Sequence, residues 1–404
     1  MFIQNGIRIS HGFSVHTFTL KLFHSILQTY LKEKLMSENV EYESFDKLEA
    51  FMKDVFIKAG VPPDDAAVCA DVLIESDKRG IDSHGFGRFK PIYIDRIKDG
   101  IQNPVTKFEV VKDHLATAVV DGHDGMGHVI GKRSMQMAID KAKKHGLGMV
   151  VVRNSTHYGI AGYYATMATK AGMIGITGTN ARPSIAPTFG IENMLGTNPL
   201  TVGMPSDEDF PFVLDCATSI AQRGKIELYD RLKKTMPPGW VINRDGTTET
   251  DPTKALEGLT KGTAALTPLG GLGDDTAGYK GYGYATVVEI LSSALQQGQF
   301  LRALNGFDAN GKKIPYHLGH FFIAIDISAF VELDKFKKTT GDILRELRAS
   351  AKAPSHERIY TAGEKEYLVW LSRKDTGVPL NDSIKKTIKA LKEEYRLDSY
   401  EFNF

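Results

Sequence analysis

The sequence predicts an α/β fold, a sheet covered by helices and joined to a separate helical region, and three observations predict it. Between residues 44 and 100 apolar residues recur at helical spacing, with no strand-like run among them. Between residues 108 and 214, short β-rich runs alternate with amphipathic stretches, and glycine punctuates the changes. The chain has 404 residues, 42% hydrophobic and 25% charged, enough apolar material for a large core or two or three domains.

The elements follow in order. Ser44 caps a helix whose apolar positions Phe45, Leu48, Met52, Val55 and Phe56 form one stripe, and Gly60 and Pro62 end it. A second helix follows Asp64, with Ala67, Ala70, Leu73 and Ile74 inward, and stops at Gly80. The stretch Asp82-Ser83-His84-Gly85-Phe86-Gly87-Arg88 comes next, then a helix through Ile92, Tyr93, Ile94 and Ile97 that Gly100 terminates. Residues 108–111 and 116–120 read as strands, and Met135, Ala138, Ile139 and Ala142 mark a helix ending at Gly146. Residues 147–152 are a strand, 159–171 a helix and 173–177 a strand; further strands fall at 200–204 and 212–214. Residues 230–283 are rich in Gly, Pro and Thr and read as long loops. Residues 284–295 form an apolar helix, 320–327 a buried strand and 333–349 an amphipathic helix, and a charged helix starts at Asp382.

Composition closes several functional classes. A net charge of +1 removes the electrostatic case for nucleic acid. No apolar run approaches the ~20 residues of a membrane span. Two cysteines, Cys69 and Cys216, are too few for a disulfide framework or a thiolate metal site, and they point to a reducing, cytoplasmic compartment. The first 35 residues set Arg8, Lys21, Lys32 and Lys34 against a single acid, Glu33, weakly like a basic targeting segment. No small-residue cleavage site stands out there, and Met36 offers a shorter start. Residues 1–40 therefore read as an N-terminal extension outside the fold, and the echo Ser10-His11-Gly12-Phe13 as coincidence.

Two histidines carry candidate chemistry. His84 and Arg88 are four apart, so a helix would project both from one face, a proton carrier beside a carboxylate grip. The plainer reading is a capped turn, with Ser83 as the N-cap and Gly85 and Gly87 relieving crowding. His157 sits in Ser155-Thr156-His157-Tyr158-Gly159 just after a strand, where α/β proteins place reactive groups, though a solvated loop histidine reads the same. Thr179-Asn180-Ala181-Arg182-Pro183 and Gly196-Thr197-Asn198-Pro199 are either N–H-rich ligand loops or ordinary turns. The cluster Gly122, Gly125, Gly127 and Gly131 gives GxGxxxG, one residue too long for the dinucleotide fingerprint, and no acid follows ~20 positions on. Gly270-Gly271-Leu272-Gly273 has no strand before it. Asp121, His123, Asp124 and His128 fit none of the common zinc spacings, so no metal is expected. Neither a GxSxG elbow nor a GK[ST] loop is present.

Taken together, the residues resemble the type-2 malate/L-lactate dehydrogenases, a family that includes sulfolactate, ureidoglycolate and diketogulonate-reducing enzymes. The matching pieces are Ser83-His84-Gly85 with Arg88, Gly127-His128, the stretch from Arg153 through Gly159, and Thr179-Asn180. Gly196-Thr197-Asn198-Pro199-Leu200, Asp215-Cys216-Ala217-Thr218, Lys280-Gly281-Tyr282-Gly283 and Gly363-Glu364 complete the match, which spans about residues 41–372. The resemblance implies a non-Rossmann nicotinamide-binding α/β domain, residues 112–274. That domain would be inserted into a mainly helical domain built from residues 41–111 and 275–404, in a homodimer.

The same resemblance makes His84 the proton carrier of some members and His157 that of others, with Ser83 beside them and Arg88 on the substrate carboxylate. It puts His157, Thr179, Asn180, Thr218, Ser219, Lys280, Gly281, Gly283, Gly363 and Glu364 on segments that contact NAD or NADP. The activity it implies is oxidation of (S)-malate to oxaloacetate and the reverse, the malate preference resting on residues 179–226. The alternatives are another 2-oxo acid or imino acid reductase of the family, or a catalytically silent nucleotide-binding scaffold. A metal-dependent hydrolase is disfavoured by the ligand spacing.

Overall fold

The computed structural model describes residues 41–404, so the reading of residues 1–40 falls outside the described residues. Strand β1 (Glu41–Glu43) leads into helix α1 (Phe45–Lys58), where Ser44 Oγ accepts the Lys47 N–H at 3.3 Å as the expected cap. Helix α2 (Pro63–Lys78) opens on a proline whose missing N–H costs nothing at that position. It buries Ala66, Cys69, Ala70, Leu73 and Ile74. The inward alanine is thus Ala66 rather than Ala67, which is only half-buried.

Helix α3 is irregular. It runs as Phe86–Arg88, a π-helical segment Phe89–Ile94 and Asp95–Lys98. Pro91 lies inside the π segment and cannot donate the ordinary i→i−4 bond, which gives the widened turn a cause.

The chain's far end completes this helical body. Strand β12 (Val378–Leu380) pairs antiparallel with β1, and helix α11 (Asp382–Tyr395) adds Ile388 and Leu391 to the core of α1, α2 and α3.

A seven-stranded mixed sheet forms the second body. Its strands are β2 (Glu109–His114), β3 (Thr117–Asp121), β4 (Leu147–Ser155), β5 (Met173–Thr179), β6 (Leu200–Met204), β7 (Phe212–Cys216) and β11 (Leu318–Asp326). The order is β2-β3-β4-β11-β5-β6-β7, and within it only β3 and β4 pair in parallel. Alternation decides the faces. Val150 and Val152 point to helices α4 (Gly127–His145) and α5 (Ala161–Lys170), while Val151 and Phe321 pack with Val288 of helix α8 (Gly278–Leu291).

Two sequence readings change here. A division at residue 275 assigns residues 318–326 to the helical ends, yet β11 lies at the centre of the sheet, antiparallel to both β4 and β5. The division at 112 likewise falls within β2.

Residues 230–283 are not simply loops. Helix α6 (Arg223–Arg231), the three-stranded sheet β8 (Val241–Asn243), β9 (Thr248–Glu249) and β10 (Ala264–Leu266), and helix α7 (Pro252–Lys261) enclose a small core of Ile226, Val241, Ala255 and Leu266. Strands of two or three residues are too short to show a period of two, so turn residues dominate the composition. Helix α7 carries full punctuation all the same: Asp251 accepts the Thr253 and Lys254 N–H groups, Pro252 follows, and Gly262 ends it at φ +72°.

Helices α9 (Leu333–Ala349) and α10 (Glu364–Arg373) close the molecule.

Candidate active site

Register places the functional loops on one rim of the sheet. Asp121 pairs with Arg153, Ser155 with Leu318, Thr179 with His320, and Leu200 with both Gly178 and Cys216. His157 after β4, Thr179 and Asn180 at the end of β5, and Thr218 and Ser219 after β7 therefore share an edge.

The His84 loop reaches the site from the helical body. Asp77, buried at the end of α2, accepts the Phe86 N–H at 2.8 Å, and a Cβ on Gly85 would fall 2.0 Å from Asp77 Oδ1. Only glycine lets the turn sit that low. Burial, and then the neighbouring Asp82, push the Asp77 carboxyl up to about 8, against the pull of the Phe86 N–H and Arg373. Arg373 of α10 ties the loop from the other side, donating to Asp77 O at 2.6 Å and to both carboxylate oxygens of Asp82 at 2.6 and 3.0 Å.

Two expectations about this stretch are corrected. The N-cap of α3 is Gly85, and Ser83 makes no cap bond; its Oγ lies 2.9 Å from His84 Nδ1. His84 also precedes the helix, so it does not share a helical face with Arg88. Ser83 joins them instead, because Arg88 Nε donates to Ser83 O at 2.8 Å.

His84 and His157 lie with ring centroids 5.8 Å apart and planes 24° from parallel. His157 Nδ1 receives the Gly159 N–H at 3.3 Å and lies 2.6 Å from Tyr93 Oη. A backbone N–H can only donate, so Nδ1 is the acceptor, Tyr93 donates to it, and the ring proton resides on Nε2. Burial, followed by the proximity of His84, Arg96, His128 and Arg88, which disfavours adding a positive charge here, drives the His157 imidazole well below its ordinary value. His84 is lowered by burial, raised by Asp215 and lowered by Arg88, for a net decrease. Both rings are neutral near pH 7, and they differ in role: His157 offers an N–H, whereas His84 Nε2 is open to accept a proton.

Of the segments expected to contact a cofactor, several gather at one place. Thr218 Oγ1 bonds the carbonyls of Thr197 and Asn198, Leu269 N–H donates to Thr218 O at 2.8 Å, and Ser219 pairs with Pro268. Helix α8 starts against this turn, since a Cβ on Gly281 would lie 2.1 Å from Leu269 O. Lys280 is exposed on its first turn, and Gly283 is exposed with open space around it. Thr179 and Asn180 reach the rim but turn inward: Asn180 Oδ1 accepts the Gly319 N–H at 2.8 Å, and Thr179 Oγ1 lies 2.8 Å from His320 Nδ1. Gly363 lies apart from the Thr218 turn and lines a cavity with Asp215, Pro211, Val213 and Tyr367. Gly363 crowds Pro211 O and Val213 N, at the opposite end of β7 from Thr218, and the Glu364 carboxylate is held by Arg358, Arg348 and the Thr361 N–H. Asp121, His123 and Asp124 pair with Arg153, Glu109 and His317, and no metal-holding group of three appears among the described residues.

Known proteins match nearly all of this chain. The family model described as malate/L-lactate dehydrogenase matches residues 44–389. The chain belongs to the malate/L-lactate dehydrogenase family. It is 43% identical over 86% of its length to the malate dehydrogenase of Pyrococcus horikoshii, covering 93% of that protein. The malate dehydrogenase structure from Entamoeba histolytica superposes with a TM-score of 0.86 at 46% identity, covering 91% of this chain and all of that one. The sulfolactate dehydrogenase of Methanocaldococcus jannaschii matches at 39% identity over 85% of the chain and 94% of that protein. The chain is accordingly a 2-hydroxy-acid dehydrogenase.

The dehydrogenase site contains residues that sequence reasoning passed over. Tyr93 reads as an inward apolar position and is fully buried, but its hydroxyl is what holds His157. Its ring packs 4.4 Å from that of His128, whose proton affinity burial lowers to about 3, so His128 is a neutral wall. A tyrosine on an otherwise aliphatic stripe was the available signal. Tyr93→Phe should lower kcat about tenfold while leaving cofactor affinity unchanged, because only the Gly159 N–H then orients His157. Steady-state kinetics with a fluorescence titration of NADH checks it; an unchanged kcat removes Tyr93 from the site.

Proposed function

We propose that the dehydrogenase oxidises (S)-malate to oxaloacetate and catalyses the reverse reduction, with NAD or NADP as hydride partner. The observation that carries this reading is the pair of neutral imidazoles beside Arg88, whose terminal nitrogens have no hydrogen-bond partner among the described residues. Oxidising a 2-hydroxy acid requires a base for the hydroxyl proton, a cation for the carboxylate and an acceptor for hydride. Arg88 grips the carboxylate next to the reacting carbon through its planar fork. His84 Nε2 takes the hydroxyl proton, and the His157 Nε2–H donates to the same oxygen as negative charge develops on it.

The cofactor, when bound, supplies the hydride acceptor. The residues at the rim fit a dinucleotide: the Thr218 and Ser219 turn abuts the N-terminus of the 14-residue helix α8, where Lys280 is exposed beside the positive end of the helix dipole. The mixed sheet, rather than a Rossmann unit, is then the nicotinamide-binding domain. The likeness to malate dehydrogenases from two organisms supports malate over other 2-hydroxy acids. An exposed apolar stripe on α8, formed by Tyr284, Val287 and Ile290, supports assembly as a homodimer. The two free cysteines support a reducing compartment, the cytoplasm.

NADH or NADPH oxidation followed by absorbance against a panel of 2-oxo acids tests the reading. Oxaloacetate should be reduced with the highest kcat/KM. Silence with every acid, despite measurable cofactor binding, would make the protein a scaffold, and a clear preference for a cyclic imine or another 2-oxo acid would move the substrate assignment there.

A further inference from the structure

Malate carries two carboxylates, and Arg88 accounts for one. We propose that Arg96, with Arg182 beside it, binds the second carboxylate, the one remote from the carbon that is oxidised. The inference rests on the malate reading and names the part of the site that would select a dianion over a monoanion.

Arg96 follows Tyr93 by three residues on α3, so the helix that orients His157 also delivers this guanidinium. It is half-buried, with its Cζ 4.4 Å from the centroid of the Tyr316 ring. The Arg96 cation lies over the Tyr316 ring, and no hydrogen bond among the described residues takes its N–H donors, which a carboxylate can engage in a bidentate pair.

Among the described residues, Arg96 is in no ion pair, while its helical neighbours Asp95 and Asp99 are engaged by Lys90 at 2.7 Å and Lys313 at 2.8 Å. Arg182 comes from the rim, two residues beyond Asn180, is exposed and is likewise in no ion pair among the described residues. Burial acts first against the charged form of Arg96, Tyr316 and Tyr93 oppose it, and the charge of Arg182 adds to the burial, so the guanidinium is held below its ordinary value. A half-buried guanidinium without a counter-charge, facing a second one, is costly unless an anion arrives beside it. His157 feels the charge of both Arg88 and Arg96, so the reacting region lies within electrostatic reach of each. A short dicarboxylate would thus have a cation near each end and the imidazoles near its C2 oxygen. Pyruvate, with one carboxylate, would leave Arg96 unused.

The experiment compares oxaloacetate with pyruvate in wild type, Arg96→Gln, Arg182→Gln and Arg96→Lys. Arg96→Gln should raise KM for oxaloacetate about a hundredfold, the loss of a charge-assisted pair, with kcat and the constants for pyruvate little changed. Arg182→Gln should do the same about tenfold, as befits a more exposed charge. Arg96→Lys, which keeps a charge but not the fork, should recover part of the preference. NADH affinity and thermal unfolding, measured alongside, should stay at wild-type values.

An equal loss for oxaloacetate and pyruvate would overturn the assignment, because Arg96 would then serve the first carboxylate or the fold. No change in either would overturn it as well. If wild type does not reduce oxaloacetate at all, the malate reading fails separately. The arginine assignment is then decided by the same ratio with sulfopyruvate, another dianion, against pyruvate.

Discussion

His84→Ala lowers kcat for malate oxidation about a thousandfold, within the range that a positioned acid–base group contributes, and leaves NADH affinity intact. The expectation follows from the tautomers. His157 has its Nδ1 occupied by the Gly159 N–H and the Tyr93 hydroxyl, so its neutral form presents a proton where a base must present a lone pair. His84 touches only a hydroxyl at Nδ1, and a hydroxyl serves as donor or acceptor, so Nε2 is free to be the base. His157→Ala should cost less, about the ten- to hundredfold due to one donor at a developing charge.

The pH dependence has a matching sign. Oxidation needs neutral His84, whose proton affinity burial and Arg88 hold below the ordinary 6.5, with Asp215 opposing them. The rate should therefore be flat through neutral pH and fall only as the medium drops below that ordinary value. Stopped assays of both variants across pH decide the matter. If His84→Ala stays near wild type while His157→Ala is dead, the base is His157.

Much of the scaffold was legible because it depends on local chemistry. The cap at Ser44 and the stripe of α1 follow from the spacing of adjacent residues, and α9 spans the 333–349 that its amphipathic pattern predicted. What was not legible depends on partners distant in the chain. Residues 320–327 read as a buried strand, and β11 spans Leu318–Asp326, but nothing in their own composition says that they insert between β4 and β5. The meeting of His84 with His157 joins two bodies: local pattern made each a candidate on its own, and only the family resemblance put the two in one site. Gly85 announced its purpose of relieving crowding, yet Asp77, the group that crowds it, looked like any helix-end acid. The long glycine cluster misleads in an instructive way. Gly122 meets Ile130 and Asn154 O, and Gly131 meets the Tyr164 ring, so these glycines permit close packing inside the protein. Their spacing missed the dinucleotide pattern because packing, not phosphate, sets it.

Gly127 is where that packing bears on catalysis. A Cβ at Gly127 would stand 2.4 Å from both Thr156 O and His157 O, two backbone atoms that cannot rotate aside. The same contact is reinforced by hydrogen bonds, Gly127 N–H to Thr156 Oγ1 at 3.0 Å and Thr156 Oγ1 to Gly125 O at 2.7 Å. Gly127→Ala must therefore lift the first turn of α4 or displace the 156–159 loop, at a cost of about 3 kcal/mol, the upper part of the usual range for overpacking. Either movement disturbs the 2.6 Å contact between Tyr93 and His157, so kcat should fall more than tenfold in the fraction that stays folded. Gly283→Ala supplies the contrast. That position has open space and an ordinary helical backbone, so alanine should leave stability unchanged or raise it by about 0.5–1 kcal/mol. Urea midpoints and single-turnover rates of the two variants give the comparison. A Gly127→Ala protein that unfolds at the wild-type urea concentration and turns over at the wild-type rate would mean that His157 is held by Tyr93 and Gly159 alone, with no contribution from the first turn of α4.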